Sequence, residues 1–148
     1  MVYEAQGAQG LSNVLINPPT STEQVLFPEK YLAEEQEVIP PPPVPNPDGD
    51  ELTFSGTMGA GMLWFLLSDV HGEAAARQLV EQWRADSYGI VEREDGRRCL
   101  NAAIQMDTSG AHALFGRAIT ESLEATGAIV EIQISPNQVT LSACRFPE

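Results

Sequence analysis

Between Ser87 and Cys144 apolar residues recur at every second position in separate runs, and tight-turn signals join those runs in pairs. Tyr88 and Ile90 share one side of 87–93, and Leu100, Ala102 and Ile104 share one side of 97–106. Glu94-Asp95-Gly96 between them is a hairpin turn of the Asp-Gly type. Val130, Ile132 and Ile134 alternate over 128–134, Ser135-Pro136-Asn137 turns the chain, and Val139, Leu141 and Ala143 alternate over 138–144. A period of two residues belongs to a strand with one buried face, so this region is predicted to form two hairpins of half-apolar strands.

Outside the hairpins the period changes to that of a helix. Met58, Met62, Leu63, Phe65, Leu66 and Leu67 make a helix apolar on most sides, expected to be deeply buried. Gly56, Gly59 and Gly61 near its start would let another backbone come close. After the turn Ser68-Asp69-Val70-His71-Gly72, a second helix is predicted from about Glu73 to Ala85. Its apolar face is Ala75, Ala76, Leu79, Val80 and Trp83, opposite Arg77, Glu81 and Arg84. Asp107 or Thr108 caps a third helix, with Ala111, Leu114, Phe115, Ala118, Ile119 and Ser122 at core spacing and Gly127 at its end. Residues 51–148 therefore read ααββαββ. This is a two-layer α+β module in which helices cover a four-stranded, mainly antiparallel sheet.

What precedes the module is of a different kind. Residues 1–17 read as a helical remnant whose stripe Val2, Leu11, Val14 and Leu15 is interrupted by Gly7 and Gly10. That stripe is too short to bury a face alone and is expected to pack on something else. Residues 18–50 are a capped turn followed by a proline-rich strap or linker. Thr20 with Glu23, and Ser21 with Gln24, form capping-box pairs, which predicts a short helix from about Thr22 to Leu26, stopped by Pro28. Pro40-Pro41-Pro42-Pro43 forces an extended rod without amide donors, read as a stiff strap in preference to a ligand for a proline-binding module. An Asn46-Pro47-Asp48-Gly49 turn marks the boundary.

The balance of charge limits the partners. A formal net charge of −13, with seven Arg and one Lys (Lys30), excludes affinity for a phosphate backbone. An acidic, lysine-poor composition fits solubility in salt or simply a high-GC genome. The start Met1-Val2-Tyr3-Glu4 has neither a basic nor an apolar signal region, so no signal peptide is expected. The longest apolar run, Met62 to Leu67, is far short of a membrane span. Cys99 is out of phase with Leu100, Ala102 and Ile104, and Cys144 is out of phase with Val139, Leu141 and Ala143. Both cysteines are thus expected on the outer face of the sheet, where neighbouring strands would let them form a disulfide. An oxidising compartment would follow.

No residue pattern points to chemistry. His71 lies in a helix–helix turn, and His112 is placed on the polar side of the third helix. No H-E-x-x-H, C-x-x-C or mixed cluster is present, and isolated histidines do not meet zinc's tetrahedral demand. Ser55, Ser109 and Ser142 lack a nucleophile-elbow context. Gly56-Thr57-Met58-Gly59-Ala60-Gly61 lacks the lysine of a phosphate loop, so close helix packing is the better reading. Glu34-Glu35-Gln36-Glu37 reads as a solvated patch. No catalytic residue, metal or cofactor is expected.

The run Pro18-Pro19-Thr20-Ser21-Thr22-Glu23-Gln24-Val25-Leu26-Phe27-Pro28-Glu29-Lys30-Tyr31-Leu32 resembles the P-P-x-S-T-E-Q-V-L-H-P-E-K-Y-L signature of bacterial and archaeal proteins that look like exported or membrane-anchored zinc metallopeptidases. Gln82-Trp83-Arg84-Ala85-Asp86-Ser87-Tyr88 is similar to their G-W-G-G-D-x-Y element, and Met106-Asp107-Thr108 to their W-D-T. The terminal Val139-x-Leu141-x-x-Cys144 also fits. In that family the H-E-x-x-H helix lies upstream of the signature, so the resemblance is to the C-terminal, non-catalytic part. Phe27 stands where the family usually has His. The resemblance implies an extracytoplasmic accessory or interaction module whose partner is a protein or a catalytic half on another chain. An independent, self-associating module is the alternative. A third reading, an enzyme with its own site, would need a bound metal or a convergent polar pocket. Leu11, Val14, Leu15, Phe27 and Tyr31 are the candidate contact residues.

Overall fold

The computed structural model describes residues 2–33, 39–46 and 48–146, and the acidic run Glu34-Glu35-Gln36-Glu37 lies outside them. The elements in chain order are α1 (Val2–Ile16), α2 (Thr22–Leu26), α3 (Pro28–Leu32), β1 (Leu52–Gly56), α4 (Gly59–His71), α5 (Glu73–Val80), β2 (Trp83–Glu92), β3 (Arg98–Met106), α6 (Ser109–Ala125), β4 (Ile129–Ile134) and β5 (Val139–Arg145). The fold is α+β. Its sheet has five strands in the order β1-β2-β3-β5-β4, each pair antiparallel.

The expected four strands thus become five, and ααββαββ gains a strand in front. β1 was hidden because Leu52-Thr53-Phe54-Ser55-Gly56 is short, and its register shifts between Leu52 and Phe54. Only Leu52 and Phe54 are apolar and all five residues are exposed, so the strand has no buried-face signature. The boundary between α5 and β2 also moves. The predicted helix ran to Ala85, yet α5 stops at Val80 and Trp83 opens a strand. A tertiary bond decides this: Asp107 N donates to the Gln82 carbonyl at 2.8 Å.

α4, α5 and α6 cover one face of the sheet. Leu63 and Leu67 of α4, Val80 of α5, and Phe115 and Ile119 of α6 meet Ala102, Ile104, Val139 and Leu141 in one buried core. Each large side chain so buried contributes about 1.5–3 kcal/mol relative to exposure. α4 is not buried all round, as its composition suggested, because Met62 and Phe65 are exposed. Leu114 of α6 is exposed too, whereas His112, placed on the polar side by sequence, is buried. The spacing of His112 from Phe115 and Ile119 is core spacing, and the residue follows its neighbours inward.

The opposite face carries the proline segment. Gly89 of β2 faces the same side as its partner Asn101, and a Cβ there would come within 2.8 Å of Val44 and 2.6 Å of Leu52. Pro42 is buried, as are Ser87, Asn101 and Ala103 on this face. The segment is pinned at its end by Asn46, whose side chain brackets Asp50 with bonds of 2.8 and 3.1 Å. Arg93 holds Asp48 at 2.9 Å. At the β2–β3 turn, the Arg97 backbone N–H holds the Asp95 carboxyl below the usual carboxylate range.

Ahead of the module, Ser21 caps α2 by accepting from Gln24 N at 3.3 Å, and Gln24 accepts in return from Thr20 N at 2.8 Å. Pro28 does more than stop α2: it occupies the first turn of α3, a position its ring favours. α1 is broken at Gly7, where φ is 62°, a conformation that costs glycine little.

Candidate functional site

Residues 18–32, 82–88 and 106–108 lie far apart in sequence, and two short chains of hydrogen bonds link them. At their centre is Asp86, a carboxylate only 1% exposed. Its Oδ2 accepts from Met58 N at 2.6 Å, and its Oδ1 accepts from Gly59 N at 2.8 Å and from Trp83 Nε1 at 3.0 Å. The first two donors are unpaired amides at the start of α4, where a negative group is favoured. Thr22 of the proline-bounded stretch reaches the same helix start, its Oγ1 accepting from Gly61 N at 3.0 Å. A Cβ at Gly59 would lie 2.6 Å from that oxygen. The glycines therefore serve close packing, and the group that approaches is a threonine side chain.

Lys30 ties the same stretch to the end of α5, donating to Glu23 at 2.6 Å and to the Glu81 carbonyl at 2.7 Å. Phe27 is buried in the core, with the Lys30 ammonium 5.5 Å and the Arg77 guanidinium 4.9 Å from its ring centre. Its contacts are therefore within the chain, and the position offers no surface to a partner. On the other side of Trp83, Gln82 accepts from the Thr108 hydroxyl at 3.0 Å, and Arg84 pairs with Asp107 at 2.7 Å. Thr108 also caps α6 by accepting from Ala111 N at 3.1 Å.

Both histidines are engaged with the backbone. His112 Nε2 accepts from Met106 N at 3.0 Å, which places the proton of the neutral ring on Nδ1. That Nδ1 has no partner among the described residues. His71 Nε2 meets the Ala118 carbonyl at 3.0 Å and so ties α4 to α6. Among the described residues no three His, Cys, Asp or Glu stand close enough to hold a metal ion. Sequence reasoning missed Asp86 because the strand was started at Ser87. Continuing the Tyr88–Ile90 phase back by one step would have put a carboxylate at an inward position, which needs donors to be tolerated.

Cys99 and Cys144 stand opposite each other on the adjacent strands β3 and β5, with sulfurs at bonding distance, 2.07 Å. They lie on the outer face as parity indicated. There they are buried together with Val91.

The remaining candidate residues belong to the N-terminal helix. Leu15 is 85% and Ile16 74% exposed, Leu11 is exposed, and Val14 is half-buried. Tyr31 donates from its hydroxyl to the Asn17 carbonyl at 2.6 Å, which links α3 to the end of α1. Between the proline segment and strands β5 and β4 runs a groove of about 720 Å³ lined by polar residues such as Asn101, Glu131 and Thr140 together with Ile132 and Leu141. No described helix is long and apolar enough to cross a membrane.

No family model matches the chain, and neither a curated protein nor a solved structure matches it.

Proposed function

We propose that this chain is a non-catalytic interaction module, accessory to the metallopeptidase-like proteins whose signature it resembles, and that α1 meets its partner polypeptide. The observation that carries this reading is the exposure of Leu11, Leu15 and Ile16 on α1. A run of large apolar side chains bare on a short helix is expected where a second surface covers it. The engagement of Asp86, His71 and His112 with backbone groups of their own chain supports a structural use for these side chains. The buried Cys99–Cys144 pair fits an extracytoplasmic setting.

The test uses Leu15→Asp and Ile16→Asp, read by urea unfolding and by binding to the H-E-x-x-H half of a metallopeptidase-like protein encoded in the same genome. The unfolding midpoint should stay where it is and the complex should be lost. A fall in the midpoint, meaning that α1 packs on its own module, overturns the proposal. So does a complex indifferent to both substitutions, or zinc-dependent hydrolysis of unfolded protein by this chain alone.

A second reading, an independent self-associating module, is favoured by one separate observation. The outer edge of β4 pairs with no described strand.

A further inference from the structure

We infer that the free edge of β4 pairs with β4 of a second copy, antiparallel about a dyad through Ile132, giving one sheet continuous across both copies. This rests on the self-associating reading and not on α1.

β4 ends the strand order β1-β2-β3-β5-β4. A strand in that position presents a row of unpaired N–H and C=O groups, and chains that stay apart blunt it with Pro, Lys, bulges or very short strands. The other edge is blunted. β1 carries a register shift between Leu52 and Phe54 and ends in glycine. β4, Ile129-Val130-Glu131-Ile132-Gln133-Ile134, has no proline, glycine or cation and pairs with β5 without a shift. Ile129 and Ile134 are exposed.

The sequence of this edge is complementary to itself in one register. Opposite residues of an antiparallel pair share a face, so a slip by one residue would set apolar positions against polar ones. With Ile132 on the dyad, Val130 faces Ile134 of the second copy and Glu131 faces Gln133 of the second copy. Both apolar pairs then lie on the helix side of the sheet, and both Glu–Gln pairs lie on the outer side. A dyad through Glu131 would set two carboxylates against each other, and a dyad through Gln133 would leave Val130 without a partner in the strand. The Ile132 register serves whichever set of backbone groups points outward, because the dyad falls on either a bonded or a non-bonded pair.

The experiment is sedimentation velocity on the full chain over a wide concentration range, with circular dichroism to verify the fold of each variant. Wild type should show a monomer–dimer equilibrium that tightens as salt screens the −13 charge on each copy. Gln133→Glu puts two like-charge pairs across the dyad and should raise the dissociation constant about five-fold. Adding Glu131→Lys to Gln133→Glu should restore or exceed wild-type association. Both positions are exposed, so the fold tolerates the changes. A chain that stays monomeric throughout overturns the inference. So does a dimer indifferent to Gln133→Glu, or one lost with Leu15→Asp, which would place the contact on α1.

Discussion

At the scale of single residues, the junction is governed by one buried carboxylate. Asp86 satisfies two amides at the start of α4 and the Trp83 indole, so it joins strand β2 to the helix covering it. Removing the acceptor would leave buried donors unpaired, at about 1–3 kcal/mol each. Asp86→Ala is therefore expected to destabilise the fold by about 3 kcal/mol, measured by urea unfolding. Trp83 fluorescence would change in the folded state, since its indole loses its partner. A loss below about 1 kcal/mol would mean that water replaces the carboxylate. Phe27 teaches the opposite lesson. As the departure from the resembled signature it drew attention as a contact residue, but its ring is buried between the Lys30 and Arg77 side chains. A phenyl ring suits a site beside two cations, which its face attracts, whereas a buried imidazole would need a hydrogen-bond partner.

At the scale of elements, the outcome turns on which strands become neighbours. The cysteines are 45 residues apart in the chain, and only the insertion of β5 between β3 and β4 brings them opposite each other. A cross-link closing a loop of that length restricts the unfolded chain and contributes about 4 kcal/mol. Cys99→Ala with Cys144→Ala, or reduction of the wild type, is expected to lower the unfolding free energy by about that amount. Equal stability with and without reductant would show that the pair does not cross-link the folded protein. The proline segment has a comparable role on the outer face. Val44 fills the space that Gly89 leaves open, and the Arg93–Asp48 contact closes its end. The rod is thus a cover for β2 and β3, and its stiffness limits the entropy lost on docking.

At the scale of the whole molecule, charge and layering matter most. Twenty-one acidic side chains face eight basic ones, and described ion pairs such as Arg84–Asp107 and Arg93–Asp48 are half-exposed. Exposed pairs contribute about 0–1 kcal/mol each, while an excess of one sign opposes compaction. The thermal midpoint at low protein concentration is accordingly expected to rise with sodium chloride. A falling midpoint would mean that the ion pairs outweigh the repulsion. The molecule is also more than the two layers read from periodicity, because the proline segment forms a partial third cover on the sheet's far side.

Sequence alone determined the elements whose pattern is local. The alternating runs around Asp95-Gly96 and Ser135-Pro136 gave both hairpins, the spacing Ala111–Phe115–Ile119 gave α6, and the Ser21–Gln24 cap gave α2. Parity even put Cys99 and Cys144 on one face, because strand phase is a property of the chain itself. Tertiary structure decided what depends on distant partners. β1 exists because β2 offers it an edge. Trp83 opens a strand because it pairs with Met106 of β3, beside the Gln82–Asp107 backbone bond. His112, turned inward by its own helical spacing, is fixed there by the Met106 amide, which needs an acceptor. A buried polar group must find a partner or not be buried at all, and only the folded chain shows which partner it has.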